Sequence, residues 1–224
     1  MPSASRSKTE HRIRYAFSRR TRYTIFALCL AAVVFLIWLD HSPAAQPVLT
    51  LPVSEAQISS RDTRKYHRRT FTVVNVVDGD TIDIDIPDGR YNHTRIRLWG
   101  VDTPETKDPN RAPMHFGHEA AQFTTQLALG KSVTVYLDEG SRTRGKYGRL
   151  LAYIKLPDGR FLNEVLLTEG YAYADLRFAH SFYNTYSQLE SAARTPQIGL
   201  WRSVTRDQLP EWLQREKPNL LKPK

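Results

Sequence analysis

The segments V-D-G-D-T-I-D-I-D-I (residues 77–86) and R-I-R-L-W-G-V-D-T-P-E-T (residues 95–106) decide the fold that we predict for this chain. In both segments apolar side chains alternate with polar ones, which is the pattern of β-strands. F-T-V-V-N-V-V (71–77) precedes them with the same character. D-G-D (78–80) and P-D-G-R (87–90) predict the turns between the strands. We therefore expect three consecutive strands.

Carboxylates and an arginine are concentrated at the predicted ends of these strands. The carboxylates are Asp78, Asp80, Asp102 and Glu105, and Arg97 lies between the two pairs. A hard cation such as calcium takes several oxygen ligands, and Asp carboxylates and turn carbonyls supply them. A guanidinium stays charged and matches the geometry of a phosphate. These residue types at this spacing suggest a site for a cation and a phosphate.

The remainder of the chain alternates between helical and strand-like patterns. Phe116, Ala120, Phe123 and Leu127 recur at helical spacing, and strand-like runs occur later at 131–137 and 149–156. Two further helices are predicted over 163–170 and 181–194. Five strands with a helix between the third and fourth is the order of an OB-type barrel. The predicted fold class is therefore α+β, mainly β, with a five-stranded Greek-key barrel and three helices.

Length, charge and cysteine content limit the possible functions. A chain of 224 residues can hold one globular domain with appendages. The net charge is +9, but seven Lys or Arg and one Glu fall in residues 1–23, so only three of the net charges remain elsewhere. The overall charge is thus no argument for nucleic-acid binding. The single cysteine, Cys29, excludes disulfides within the chain and Cys-based zinc sites.

The N-terminal segments predict export. A basic segment, 1–23, precedes an uncharged apolar run, 24–39, which suits either a transmembrane anchor or the core of a signal peptide. The basic flank predicts that the chain after residue 40 lies outside the cytoplasm, in the cell envelope or secreted. Residues 40–69 contain three prolines and no sustained period, which predicts a linker. Residues 203–224 are predicted to form a polar tail.

Several short motifs occur between residues 70 and 202 in a fixed order. They are V-D-G-D-T (77–81), R-L-W-G-V-D-T-P-E-T (97–106), G-H-E-A (117–120), K-Y-G-R (146–149), N-E (163–164) and G-L-W (199–201). In these motifs the chain resembles the staphylococcal nuclease, or thermonuclease, family of calcium-dependent secreted nucleases. The resemblance implies a barrel with three helices that hydrolyses phosphodiester bonds of DNA and RNA.

The resemblance also implies a calcium site and a general base. Asp80 and Asp102 match the carboxylates that bind calcium, and Thr103 matches the residue that adds its backbone carbonyl. Glu105 matches the general base. The expected cofactor is therefore Ca²⁺, held by residues at the ends of the first strands.

The remaining implied roles concern the substrate. Arg97 and Arg149 match the two arginines that bind the reacting phosphate, and Lys146 with Tyr147 matches the pair that holds a neighbouring phosphate. The family breaks the bond to the 5′ oxygen and leaves 3′-phosphate ends, and the same is expected here.

The chain departs from the family pattern where the base would bind. Two tyrosines of the family fall on Leu176 and Phe178 in this sequence. The alternative function is a non-catalytic OB-fold module that binds nucleic acid and is tethered to a membrane through 24–39. No expected catalytic position is missing, which favours the enzyme. We expect a monomer.

Overall fold

The computed structural model describes residues 54–106 and 112–221, together with residues 20, 23, 24, 28 and 30–32. The chain divides into two compact units, Met1–Pro52 and Val53–Lys224. The described residues of the first unit are helical. Among the described residues no helix is long and apolar enough to cross a membrane. Most of the predicted segments 1–23 and 24–39 lies outside the described residues, so anchor and signal peptide both remain predictions.

A closed five-stranded barrel forms the centre of the second unit. Its strands occur along the chain together with a short additional pair: β1 (Arg69–Asp78), β2 (Thr81–Ile84), β3 (Thr94–Leu98), β4 (Val101–Asp102), β5 (Ser132–Tyr136), β6 (Leu150–Lys155) and β7 (Tyr173–Ala174). The barrel closes in the order β1-β2-β3-β6-β5, and β4 pairs with β7 outside it. Only the β3–β6 pairing within the barrel is parallel. The predicted OB-type barrel is confirmed.

Alternation of apolar residues explains why these strands close around one core. Ile82, Ile84 and Ile96 are fully buried, and they face the interior from two adjacent strands. The register of β1 against β2 is interrupted twice, between Val73 and Asn75 and again before Asp78. Such irregularities bend a strand, and β1 is thereby able to pair with β2 along one part and with β5 along another.

Five α-helices accompany the barrel in the described part of the second unit. They are α1 (Glu55–Tyr66), α2 (Gly117–Ala128), α3 (Leu162–Thr168), α4 (Tyr183–Arg194) and α5 (Glu211–Glu216). The three predicted helices correspond to α2, α3 and α4. Phe116, predicted as part of the apolar face of α2, is instead the residue before its first turn, with a positive φ of 68°. The other two helices were not predicted.

Helix α1 lies where the sequence predicted a linker over 40–69, and the structure differs there. Ser54 and Gln57 form a capping box, in which each side chain accepts a hydrogen bond from the other residue's backbone N–H. Asp62 and Tyr66 are buried, and the Tyr66 hydroxyl hydrogen bonds with that of Thr94 on β3. The helix is thus joined to the barrel.

The C-terminal segment also differs from the predicted polar tail over 203–224. Two 3₁₀ turns, Gly199–Arg202 and Arg206–Gln208, lead into α5. Trp212 and Leu213 of α5 are buried in a second apolar cluster beside the barrel core. The predicted domain over 70–202 therefore extends at both ends, and the compact unit runs from Val53 to Lys224.

Candidate active site

A cleft of about 530 Å³ lies where the β1–β2 turn, the end of β3 and the β5–β6 loop meet. We call it the central cleft. All the site residues predicted from the sequence line it, from positions up to 69 residues apart: Asp80, Arg97, Asp102, Thr103, Glu105, Lys146, Tyr147 and Arg149. The barrel thus brings the predicted residues together, although their individual roles remain proposals.

The Asp80 carboxylate is held on both oxygens. Its Oδ2 accepts the backbone N–H of Thr103 at 2.7 Å and the Thr103 hydroxyl at 3.0 Å. Its Oδ1 accepts the Thr81 hydroxyl at 3.1 Å. A Cβ on Gly79 would lie 2.7 Å from the Thr103 hydroxyl oxygen, so only glycine lets the turn approach Thr103 this closely. Asp80 is therefore a buried carboxylate with a fixed orientation.

Arg97 connects Asp80 to Asp102. Its Nη1 forms an ion pair with Asp80, and its Nη2 lies 2.5 Å from Oδ1 of Asp102. The Arg97 side chain is only 15% exposed, so these ion pairs are largely shielded from solvent. The two carboxylates consequently converge on one positive charge.

The donor set of the central cleft fits a hard cation. Asp80 and Asp102 offer carboxylate oxygens, which calcium and magnesium prefer, and these ions complete their coordination with carbonyl oxygens and water. Within the residues that the structure describes, no group of three or more His, Cys, Asp or Glu side chains forms a metal site. A cation here would thus rely on these two carboxylates and on oxygens such as the Thr103 carbonyl.

Glu105 and Arg149 lie in the same cleft with different surroundings. Glu105 is exposed, and its Oε1 accepts the backbone N–H of Thr106 at 2.8 Å. Burial and the nearby Arg97 lower the pKa of the half-buried Arg149, while Asp78 and Glu105 oppose that change. Arginine titrates so far above neutrality that Arg149 remains a cation. The cleft therefore pairs an accessible carboxylate with two guanidiniums.

Lys146 and Tyr147 lie at the exposed rim of the central cleft. The Tyr147 side chain is 76% exposed, and both Lys146 and Arg149 approach its ring, at 5.5 and 5.8 Å from the ring centre. Two cations around an accessible aromatic ring suit a substrate with phosphates and bases.

The loop that carries Lys146 and Tyr147 is anchored by an ion pair that the sequence did not reveal. Arg144 donates two hydrogen bonds to Asp62 of α1, at 2.7 and 2.6 Å, and also pairs with Asp88. Burial alone would lower the pKa of Arg144, but these hydrogen bonds raise that pKa well above its ordinary value. Asp62 lies within residues 40–69, which the sequence predicted to be a linker, so nothing around it in the sequence indicated this ion pair.

The contacts that Trp212 and Arg177 make beside the central cleft were also not predicted. Trp212 of α5 donates its Nε1–H to Oδ2 of Asp102 at 2.7 Å, and Arg177 lies over the Trp212 ring at 4.3 Å. Phe178 lines the same cleft and stacks on Trp99, with 5.7 Å between ring centres. By contrast Leu176 packs against the barrel core.

Comparison with known proteins agrees with these motifs. The family model described as staphylococcal nuclease homologue matches residues 95–203. Thermonuclease of Staphylococcus hyicus is 37% identical over 131 residues, covering 58% of this chain and 73% of that protein. Thermonuclease of Staphylococcus intermedius is 38% identical over 144 residues, covering 64% and 80%. The chain belongs to the staphylococcal nuclease family.

A Bacillus relative adds to this comparison. Endonuclease YncB of Bacillus subtilis (strain 168) is 34% identical over 132 residues, covering 58% of this chain and 60% of that protein. The match to the staphylococcal nuclease family model stops at residue 203, and Trp212 lies beyond it. Asp62 lies before its first residue. The two contacts that support the central cleft from outside thus come from segments that the family model does not cover.

Proposed function

We propose that the chain is an exported, calcium-dependent endonuclease that hydrolyses DNA and RNA and leaves 3′-phosphate ends. Membership of the staphylococcal nuclease family and the names of its thermonuclease and endonuclease relatives support a nuclease. The observation that carries the proposal is the convergence of Arg97, Arg149 and Glu105 with two paired carboxylates in one cleft.

In this mechanism the two arginines bind the reacting phosphate. Negative charge grows on the equatorial oxygens as the transition state forms, and Arg97 of β3 and Arg149, in the loop directly before β6, both line the cleft where that charge would develop. Both side chains are partly buried, and Arg97 is held by ion pairs to Asp80 and Asp102, so positive charge is in place before the substrate arrives. They therefore stabilise the transition state more than the ground state.

Glu105 acts on the attacking water. Its exposed carboxylate orients the water and takes its proton, while the water oxygen bonds to phosphorus and the bond to the 5′ oxygen breaks. The 5′ oxygen leaves as an alkoxide and takes a proton from solvent water, and the phosphate stays on the 3′ side. Asp80, Asp102 and the Thr103 carbonyl would hold calcium, which would neutralise charge on the phosphoryl oxygens as a Lewis acid.

Lys146 and Tyr147 would bind a neighbouring phosphate along the strand. Both are exposed, and they contact the substrate backbone, which is the same in every sequence. The proposed enzyme therefore has little sequence preference. We further propose that it is a monomer that acts outside the cytoplasm or in the cell envelope.

Cleavage assays on the full-length chain test this proposal. Single-stranded DNA, duplex DNA and RNA are incubated with calcium, with magnesium and with a chelator, and product ends are identified by their response to phosphatase. Glu105→Gln and Arg149→Ala are expected to lower kcat by about 10²-fold or more. The matched controls are Glu139→Gln and Arg160→Ala, two exposed residues outside the central cleft, which should cleave like the wild type.

Each result has a distinct meaning. Calcium-dependent cleavage to 3′-phosphate ends that both active-site variants lose would support every part of the proposal. Near-normal cleavage by both variants would refute the mechanism. Binding of DNA without any cleavage by the wild type would instead indicate the membrane-tethered binding module.

A further inference from the structure

We propose that Trp212 is a positioning residue that fixes the Asp102 carboxylate of the cation site. The inference rests on the proposed function, because it concerns the site that would hold the cation. Trp212 belongs to α5, beyond the segment that the family model matches. Its Nε1–H donates to Oδ2 of Asp102 at 2.7 Å, whereas Arg97 takes Oδ1. The two oxygens of Asp102 are thus assigned to two different partners.

The two carboxylates of the site differ in how they are supported. Asp80 is buried and accepts three hydrogen bonds from the neighbouring Thr103 and Thr81. Asp102 ends a two-residue strand outside the barrel, and in the described part of the chain its carboxylate accepts hydrogen bonds only from Arg97 and Trp212, while Arg177 adds an ion pair to Oδ2 at 4.0 Å. Arg97 is also proposed to bind phosphate. Trp212 is therefore the hydrogen-bond donor to Asp102 that has no proposed role toward the substrate.

Trp212 is itself held in place. The Arg177 guanidinium lies over its ring at 4.3 Å, and Arg177 is fixed by two hydrogen bonds to Asp175 at 2.7 and 2.8 Å. The indole packs in the apolar cluster together with Leu213 and Leu209. Partners that orient a metal-binding carboxylate in this way strengthen cation binding, and their loss typically costs about 10- to 100-fold in affinity.

Calorimetric titration of calcium into full-length Trp212→Phe tests the inference. Phenylalanine keeps an aromatic ring for Arg177 and loses the N–H, so calcium affinity is expected to fall about tenfold. The matched control is Trp201→Phe in the same apolar cluster. The Trp201 Nε1 is buried, and no hydrogen-bond partner for it exists among the described residues, so this change removes no bond.

A calcium affinity of Trp212→Phe equal to that of the wild type would overturn the inference and leave the proposed nuclease intact. If wild-type protein bound no calcium at all, the proposed function would fail together with the inference. Should Trp212→Phe not fold, Trp212→Met is measured in its place, because methionine also fills an apolar site without an N–H, and an affinity equal to that of the wild type would again overturn the inference.

A different observation supports a second inference, that the nucleic-acid strand continues into a neighbouring cleft. This cleft, of about 560 Å³, lies between the β2–β3 loop and the turn at 147–149, and we call it the hairpin cleft. It shares Tyr147 and Arg149 with the central cleft. Tyr91 lines it with 61% of its surface exposed. Two accessible tyrosines along one continuous path suit unstacked bases of a single strand.

The charges of the hairpin cleft are compatible with a polyanion. Its two carboxylates, Asp83 and Asp88, are each paired with an arginine, Arg95 and Arg144. Arg149 adds a positive charge without being paired to either of them. We infer that Tyr91 stacks on a base beyond the nucleotides held in the central cleft, an inference that likewise rests on the proposed function.

The length dependence of cleavage tests this role of Tyr91. KM is measured for a trinucleotide and for a dodecamer of single-stranded DNA, and the ratio of dodecamer KM to trinucleotide KM should rise about tenfold in Tyr91→Ala. Tyr183→Ala, an exposed tyrosine on α4 that lines neither cleft, is the control and should keep the wild-type ratio. A wild-type ratio in Tyr91→Ala would overturn the inference, whereas absence of cleavage by the wild type would overturn the proposed function first.

Discussion

Replacing Asp62 by alanine should destabilise the protein because it removes one partner of a buried ion pair. Asp62 accepts hydrogen bonds from Arg144 at 2.7 and 2.6 Å and from the Thr143 hydroxyl at 2.8 Å. Its side chain is 8% exposed and that of Arg144 is 20% exposed, so solvent would not replace these contacts fully. Alanine would therefore leave a buried cation and a buried hydroxyl without their main acceptor.

The expected loss in free energy of unfolding is about 3 kcal/mol. That figure is at the lower end for broken buried pairs, because Arg144 keeps Asp88 and the Gly148 carbonyl as partners. In a chain of this size, such a loss lowers Tm by about 6–12 °C. The loop that carries Lys146 and Tyr147 would also loosen, so KM should rise several-fold with a smaller change in kcat.

Urea denaturation and thermal unfolding of the full-length variant measure these effects. Asp158→Ala is the matched control, because Asp158 pairs with Arg160 at 2.7 Å but both side chains are about half exposed. A pair of that kind contributes little, and no measurable change in stability is expected. If Asp62→Ala unfolded at the same urea concentration as Asp158→Ala and the wild type, the reasoning on burial would be refuted.

Three further perturbations test other parts of the structure. Gly100→Ala should lower the free energy of unfolding by about 2 kcal/mol or more, measured in urea, because Gly100 has a φ of +77° and an added Cβ would lie 2.6 Å from the His180 ring. Asn163→Ala should cost about 3 kcal/mol in the same assay, since the buried amide of Asn163 pairs with backbone groups of three residues, and unchanged stability would contradict this. Burial raises the pKa of Asp138, but hydrogen bonds led by those of Ser181 outweigh it and the pKa lies below its ordinary value. The resulting stabilisation is present above pH 3.8 and is lost as the pH falls through the lowered pKa, so urea midpoints of Asp138→Asn should fall less on acidification than those of the wild type.

The barrel was predictable because it depends on local patterns, whereas most residues of the central cleft were predicted from motifs that resemble those of the staphylococcal nuclease family. Strict alternation in T-I-D-I-D-I placed Ile82 and Ile84 inside, and the carboxylates stand at strand ends beside turn residues. Residues at the ends of these strands lie at one rim of the barrel. The motifs then specified which residues meet there, and the structure places them in one cleft.

The two outer segments were not predictable by the same reasoning. Helix α1 buries only Asp62 and Tyr66, so no apolar stripe marks it in the sequence. Trp212 binds a carboxylate 110 positions earlier in the chain, and neither residue carries a local sign of the other. Contacts of this kind depend on how finished elements pack, which alternation and spacing do not reveal.

The parallel pairing of β3 with β6 has a consequence for when the protein can act. Ile96 of β3 lies beside Leu150 of β6, and this closure brings Arg97 to the same cleft as Arg149. Joining two strands so distant along the chain is a slow, non-local step of folding. A nascent or unfolded chain consequently has its two arginines apart and, under the proposed mechanism, cannot act on the nucleic acid around it. The rate at which cleavage activity returns during refolding would therefore report the rate at which the barrel closes.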